Sequence, residues 1–175
     1  MQEVTLTPLA DRPAIRAALS EMMIEAVASG ASVSFMHPLA PEEADAFWRD
    51  SLADAASGKK IVLGAFEDTR LIGTFTLVLG LPPNQPHRAD LAKLIVRNSH
   101  RGRGIGTALM LEAERLAIAH GRTLLVLDTA IDGGPWQMYE GLGYRLAGII
   151  PGYSYTPHGT LTGVKIYWKQ IGGKE

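Results

Sequence analysis

Residues 97–110 read RNSHRGRGIGTALM, with Gly102, Gly104 and Gly106 alternating between an apolar run, LAKLIV, and a helix-like run, TALMLEAERLAIAHG. Glycine inside a helix costs roughly 0.5–1 kcal/mol relative to alanine, so three at a helix start need a reason. Arg97, Arg101 and Arg103 lie beside them, and neighbouring cations repel. A polyanion bound at the turn would compensate for both. Helix N-termini carry unpaired N–H groups and partial positive charge, and glycine lets the backbone curl closely around an anion. A tight turn with solvated arginines is the simpler alternative, and it is the weaker one for three glycines placed after a strand and before a helix. The stretch therefore predicts a strand–turn–helix–strand unit with a phosphate site. A crossover of that length makes its two strands parallel and the connection right-handed.

Two nucleotide motifs fit poorly. A P-loop closes with Gly-Lys-Ser/Thr, whereas this chain has Gly106-Thr107-Ala108. A dinucleotide fingerprint, G-x-G-x-x-G, puts Thr107 or Leu109 where its third glycine belongs, although Asp128 does lie near the position of a ribose-binding acid.

Period and punctuation supply the other elements. EVTLTPL alternates as a strand. DRPAIRAALSEMMIEAVASG predicts a helix with Asp11 as N-cap, Pro13 in the first turn and Gly30 past the end. PEEADAFWRDSLADAASG predicts a second helix, acidic at its start and stopped by Gly58. KIVLGAFE and RLIGTFTLVLG form a hairpin about Asp68-Thr69, and the prolines of LPPNQPH forbid pairing there. After RADLAKLIVR and the glycine turn comes a helix with Ile105, Ala108, Leu109, Ala113, Leu116 and Ala117 on one face. TLLVLDT reads as a strand buried on both faces. A short helix, GPWQMYEGLG, and the strands YRLAGIIP and TGVKIYWKQI complete an α/β (α+β) domain over residues 1–175. The expected sheet is mixed, with helices on both faces.

Composition narrows the function. Seventeen basic against eighteen acidic side chains argue against a nucleic-acid or membrane-surface binder. With no cysteine, disulfides, thiolate metal sites and a cysteine nucleophile are excluded. His37 and His158 show no ligand spacing, so no metal is expected. MQEVTLTPLADRP lacks the basic and apolar regions of a signal peptide, which makes the cytoplasm the expected location.

The pattern Arg101-x-x-Gly104-x-Gly106, after the strand LAKLIV and before YEGLGY at 139–144, resembles the acyl-CoA pyrophosphate loop and closing motif of the GNAT N-acetyltransferase superfamily. GASVSFM, RADLAKLIV, RGRGIG, LLVLDT and PGYSYTPHG, in that order, resemble the tabtoxin-resistance branch of that superfamily, which acetylates an amino-acid-like toxin. The resemblance implies the GNAT fold, a sheet of about seven strands with an acyl-CoA cleft between two splayed parallel central strands. It implies acetyl-CoA as co-substrate, a small-molecule amine as acceptor, a role in antibiotic or toxin resistance, and a monomer or homodimer. On the cofactor it places the main chain of Leu94, Ile95 and Val96, the turn Arg101, Gly102, Arg103, Gly104, Ile105, Gly106 and Thr107, and Trp136.

Acetyl transfer to an amine needs a base, a carbonyl donor and an acid for the leaving thiolate. Asp90, eleven residues ahead of Arg101, is similar in position to the family's catalytic glutamate. It is expected to share a strand face with Ala92, Leu94 and Val96. Asp128 closes the apolar run TLLVL, at the carboxyl end of a parallel strand where open sheets bind ligands. It is a second base, an ammonium-binding group or a turn cap. Tyr139 occupies the family's general-acid position and is also at helical spacing with Trp136 and Leu142. Phe35, Tyr153 and Tyr155, in expected loops, line an acceptor pocket or pack locally. A non-catalytic acyl-CoA sensor and a protein N-acetyltransferase stay open as alternatives; only an enzyme needs Asp90, Asp128 and Tyr139.

Overall fold

The computed structural model describes residues 3–172. Its strands are β1 (Val4–Pro8), β2 (Lys60–Glu67), β3 (Arg70–Val78), β4 (Arg88–Val96), β5 (Leu124–Ala130), β6 (Arg145–Tyr155) and β7 (Leu161–Gln170). They form one seven-stranded sheet in the order β1-β2-β3-β4-β5-β7-β6. Only β4 and β5 pair in parallel; every other neighbour is antiparallel. The sheet is mixed because the one long crossover sits at its centre and hairpins or returns flank it.

Helices α1 (Pro13–Ala28) and α2 (Pro41–Ala56) cover one face, and α3 (Ile105–Ala119) with the short α4 (Trp136–Gly141) covers the other. Two cores result. Leu19, Met22, Met23, Trp48 and Leu52 pack with Val62, Leu71 and Ile95 on the first side. Ile72, Phe75, Leu91, Leu109, Met110, Leu125 and Tyr167 pack on the second. Fully burying each large apolar side chain stabilises the fold by about 1.5–3 kcal/mol. Among the described residues no helix is long and apolar enough to cross a membrane.

Several local expectations give way. The N-cap of α1 is Arg12, with no side-chain cap; Asp11 instead accepts a hydrogen bond from Arg16 at 2.7 Å. The buried face of α3 runs through Met110 and Glu114 as well, while Ala108 and Leu116 are only half-buried. Glu114 tolerates burial because Lys169 donates to both its oxygens, at 2.8 and 2.9 Å.

TLLVLDT is not buried on both faces. Leu125 and Leu127 are buried, whereas Leu124 and Val126 are half-buried and Asp128 is exposed. The α1–α2 layer packs over β2, β3 and β4, which leaves that face of β5 open. β6 runs on to Tyr155, so Tyr153 and Tyr155 belong to a strand rather than a loop.

The decisive irregularity is in β4. Thr74 pairs with Ile95 and Thr76 with Ala92, so one step of two residues on β3 opposes three on β4. Lys93, at φ +55°, is the bulge residue. The bulge reverses the pleat. Asp90 and Ala92 alternate with Ala89 and Leu91 of the α3-side core. Beyond Lys93, Leu94 and Val96 pack on that core and Ile95 enters the other one. Asp90, Ala92, Leu94 and Val96 therefore do not share a face as simple alternation predicts.

Candidate active site

The parallel β4–β5 ladder begins at Arg88–Leu124 and stops at Leu91–Leu127. Past that point the strands part, and a cleft of about 720 Å³ opens between them. On the β3 side, Val96 and Ile95 still pair with Gly73 and Thr74. Towards β5, the main chain of Leu94, Ile95 and Val96 has no strand partner and lines the cleft. An extended ligand can occupy the missing strand position there.

The glycine turn forms one end of the cleft. Gly102 and Gly104 sit at φ +74° and +78°, a conformation that disfavours any side chain. A Cβ at either would meet nothing within 4 Å, so backbone conformation rather than space demands glycine there. Gly106 differs: its Cβ would approach Met138 Sδ to 3.4 Å. Gly104 is the N-cap of α3 and no side chain caps the helix, which leaves its first N–H groups facing the cleft.

The three arginines divide. Arg97 donates to the Leu71 carbonyl at 2.8 Å and to Glu21 at 3.3 Å. Arg103 donates to Glu67 Oε1 at 2.5 Å and does not line the cleft. Their charges are thus balanced within the protein. Among the described residues the Arg101 side chain donates only to the Val96 carbonyl, at 3.3 Å, and it does line the cleft. One guanidinium with the helix amides, rather than three, is what the turn offers an anion. The turn is braced by buried His100, whose ring lies 3.2 Å from Glu67 Oε2 and 2.8 Å from Ser99 Oγ. Arg103, and then His100, hold the Glu67 carboxyl below its ordinary range.

At the other end stand Asp128 and Tyr139. Asp128 lies one residue past the last β4–β5 pair and has no side-chain hydrogen bond among the described residues. Tyr139, on α4 and in the α3-side core, reaches the cleft from the opposite side of the sheet. Burial, and then the Asp128 charge, push its hydroxyl well above the usual tyrosine value, so it stays protonated.

Asp90 does not line the cleft. It lies across from Val126, one register step behind Asp128 on the same face, and is ion-paired to Arg88. Burial raises its pKa, Arg88 opposes the shift, and the Asp128 charge adds to it. Trp136 packs beneath Lys165, whose ammonium is 3.7 Å from the ring centroid. Phe35 meets Phe47 edge-on at 5.3 Å behind the cleft wall. Tyr153 and Tyr155 are 54% and 60% exposed on β6, away from the cleft lining.

Sequence reasoning missed the wall opposite β4. Residues 29–34, after α1, line the cleft, and Ser34 Oγ accepts from Lys93 Nζ at 3.0 Å. A lysine interrupting the apolar run LAKLIV was the available signal. His100, Asp132 and Met138 also line the cleft. Asp132 is occupied by Thr162, which donates to it at 3.1 Å.

An N-acetyltransferase from Staphylococcus aureus Mu50 shares this architecture with a TM-score of 0.81 at 16% identity, over 96% of this chain and 98% of that one. The ribosomal-protein-alanine N-acetyltransferase from Brucella melitensis has a TM-score of 0.80 at 16% identity, over 95% and 99%. An aminoglycoside 6'-N-acetyltransferase complexed with coenzyme A has a TM-score of 0.75 at 16% identity, over 98% and 99%. At these identities the likeness is one of fold, and the names span quite different acceptors. The acetyltransferase (GNAT) family model, however, matches residues 23–144, more than half of the chain. Because that span includes the glycine turn and both splayed strands, the chain belongs to the GNAT acetyltransferase family.

Proposed function

We propose that this protein is an N-acetyltransferase moving an acetyl group from acetyl-CoA to a primary amine of a small molecule, by direct transfer in the cleft. Membership of the family makes acetyl transfer the reaction and acetyl-CoA the co-substrate. One observation carries the rest: Asp128 and Tyr139 face one cleft from opposite sides of the sheet, just past the unpaired main chain of Leu94–Val96. A base and an acid on opposite sides of a reacting carbon are what transfer between two bound molecules needs.

In this reading the pyrophosphate rests on Arg101 and the amides at the start of α3, and the pantetheine arm lies along Leu94–Val96. Asp128 takes a proton from the acceptor ammonium, and the freed amine attacks the thioester carbonyl. The carbon–sulfur bond breaks as the amide forms, and Tyr139 gives its proton to the departing thiolate. The second proton lost by the nitrogen as the amide forms restores the Tyr139 phenolate through water, and Asp128 releases its proton to solvent, so one proton is liberated per turnover. Asp90, one register step back and tied to Arg88, assists Asp128 through water.

The tabtoxin-resistance motifs favour an amino-acid-like toxin or antibiotic as acceptor. The enzyme is cytoplasmic, a single catalytic unit over residues 1–175, and a monomer or homodimer. The test is release of free thiol from acetyl-CoA by purified protein against a panel of small amines and peptides. Thiol release with small amines, exceeding that with peptides, is the expected result. Acetyl-CoA binding without turnover on any amine would leave a sensor instead.

A further inference from the structure

Lys93, the bulge residue of β4, makes contacts that the bulge itself does not require. Among the described residues it is one of three non-glycine residues with positive φ, and a second, Ser34 at φ +74°, is its hydrogen-bond partner 59 positions away. Side chains with a Cβ adopt this conformation at a cost, and such outliers concentrate where function fixes them. Here two of them meet across a cleft. The Lys93 ammonium also stands 5.6 Å over the Phe47 ring, which Phe35 holds edge-on at 5.3 Å.

The charges lining the cleft are divided. His100 and Arg101 belong to the glycine turn; among the described lining residues, Lys93 is the one cation outside it. It joins none of the ion pairs among the described residues, and Ser34 occupies only one of the three donors of an ammonium. Burial lowers the Lys93 pKa and the Asp128 charge offsets only part of that shift, yet the two do not form an ion pair. The half-cleft on the α1–α2 side thus presents an anion and a cation, each with hydrogen-bonding capacity left over.

We propose that Lys93 selects the acceptor, its ammonium receiving a carboxylate while Asp128 receives the amine, so that the substrate is an amine that also bears a carboxylate. The inference rests on the acetyltransferase reading of the cleft. It assigns a specificity role to a residue that has no part in the chemistry, and it disfavours polycationic amines, which would bring like charge to Lys93.

The test uses matched acceptors on the wild-type protein: ornithine and lysine against putrescine and cadaverine, which lack only the carboxylate. A charge-assisted hydrogen bond is worth about ten- to a hundredfold. The amino acids are expected to exceed the diamines by that factor in kcat/KM, chiefly through KM. In Lys93→Met the ratio collapses towards one, and in Lys93→Arg part of it returns. Equal wild-type rates on both members of each pair would overturn the inference and leave the acetyltransferase intact. So would a preference that survives in Lys93→Met. Absence of thiol release with every amine would instead overturn the acetyltransferase reading, and this inference with it.

Discussion

Replacing Gly104 by aspartate should separate folding from cofactor binding, because the two losses differ widely in size. Gly104 has φ +78° and is the N-cap of α3. A Cβ there meets nothing within 4 Å, so the folding cost is conformational only. For an L-residue in the left-handed region that cost is roughly 1–2 kcal/mol, and aspartate tolerates the region better than most. A carboxylate at a helix N-terminus returns about 0.3–1 kcal/mol. The net loss is then about 1 kcal/mol, a fall of about 2–4 °C in Tm for a chain of this size. Binding is another matter. A carboxylate about 5 Å from a phosphate charge repels it by roughly 3 kcal/mol at an effective dielectric near 20, which is about a hundredfold in Kd. Gly104→Ala carries the strain without the charge and should keep most of the affinity. Melting followed by circular dichroism and acetyl-CoA titration by calorimetry read the two effects separately. A folded Gly104→Asp protein with wild-type affinity for acetyl-CoA would refute the placement of the pyrophosphate. A Tm lowered by far more than a few degrees would refute the packing argument.

Asp128→Asn should lower kcat by about 10²–10⁴-fold with acetyl-CoA affinity retained; Asp90→Asn should cost less, and the reverse order in steady-state rates would make Asp90 the principal base. Tyr139→Phe keeps a packed ring and removes the proton donor, so turnover should fall on the order of 10²-fold while Tm stays put. Since burial and Asp128 raise the Tyr139 hydroxyl, kcat should show no alkaline loss from its ionisation near the ordinary value of 10.0. Glu67 has its native pKa lowered, first by Arg103, so its stabilisation is complete above the ordinary 4.5 and is lost as pH falls through the lower native value. Glu67→Gln should therefore flatten the acid side of a Tm-against-pH curve, and parallel curves for the two proteins would remove that ion pair from the stability of the turn.

The sequence alone determined the centre of the molecule, because its signals there are local. Three glycines between a strand pattern and a helix pattern specify a turn, and the crossover length specifies parallel β4 and β5. Of the cleft residues, Arg101 and Gly104 were legible from the turn, Asp128 from its place at the end of an apolar strand, and Tyr139 from the resemblance to the family. The tertiary structure decided what depends on partners far along the chain. Which arginine keeps its charge for a ligand was settled by Glu21 and Glu67, contributed from α1 and β2. Which face Leu94 and Val96 take was settled by a bulge, and period-two counting is blind to one inserted residue. That one face of β5 lies open follows from where α1 and α2 stop, not from the apolar run TLLVL itself. Lys93 gains its place opposite Asp128 from the same bulge and from Ser34, a contact that spans 59 positions. Local pattern thus specified the glycine turn and its end of the cleft, while long-range packing set the charges at the other end.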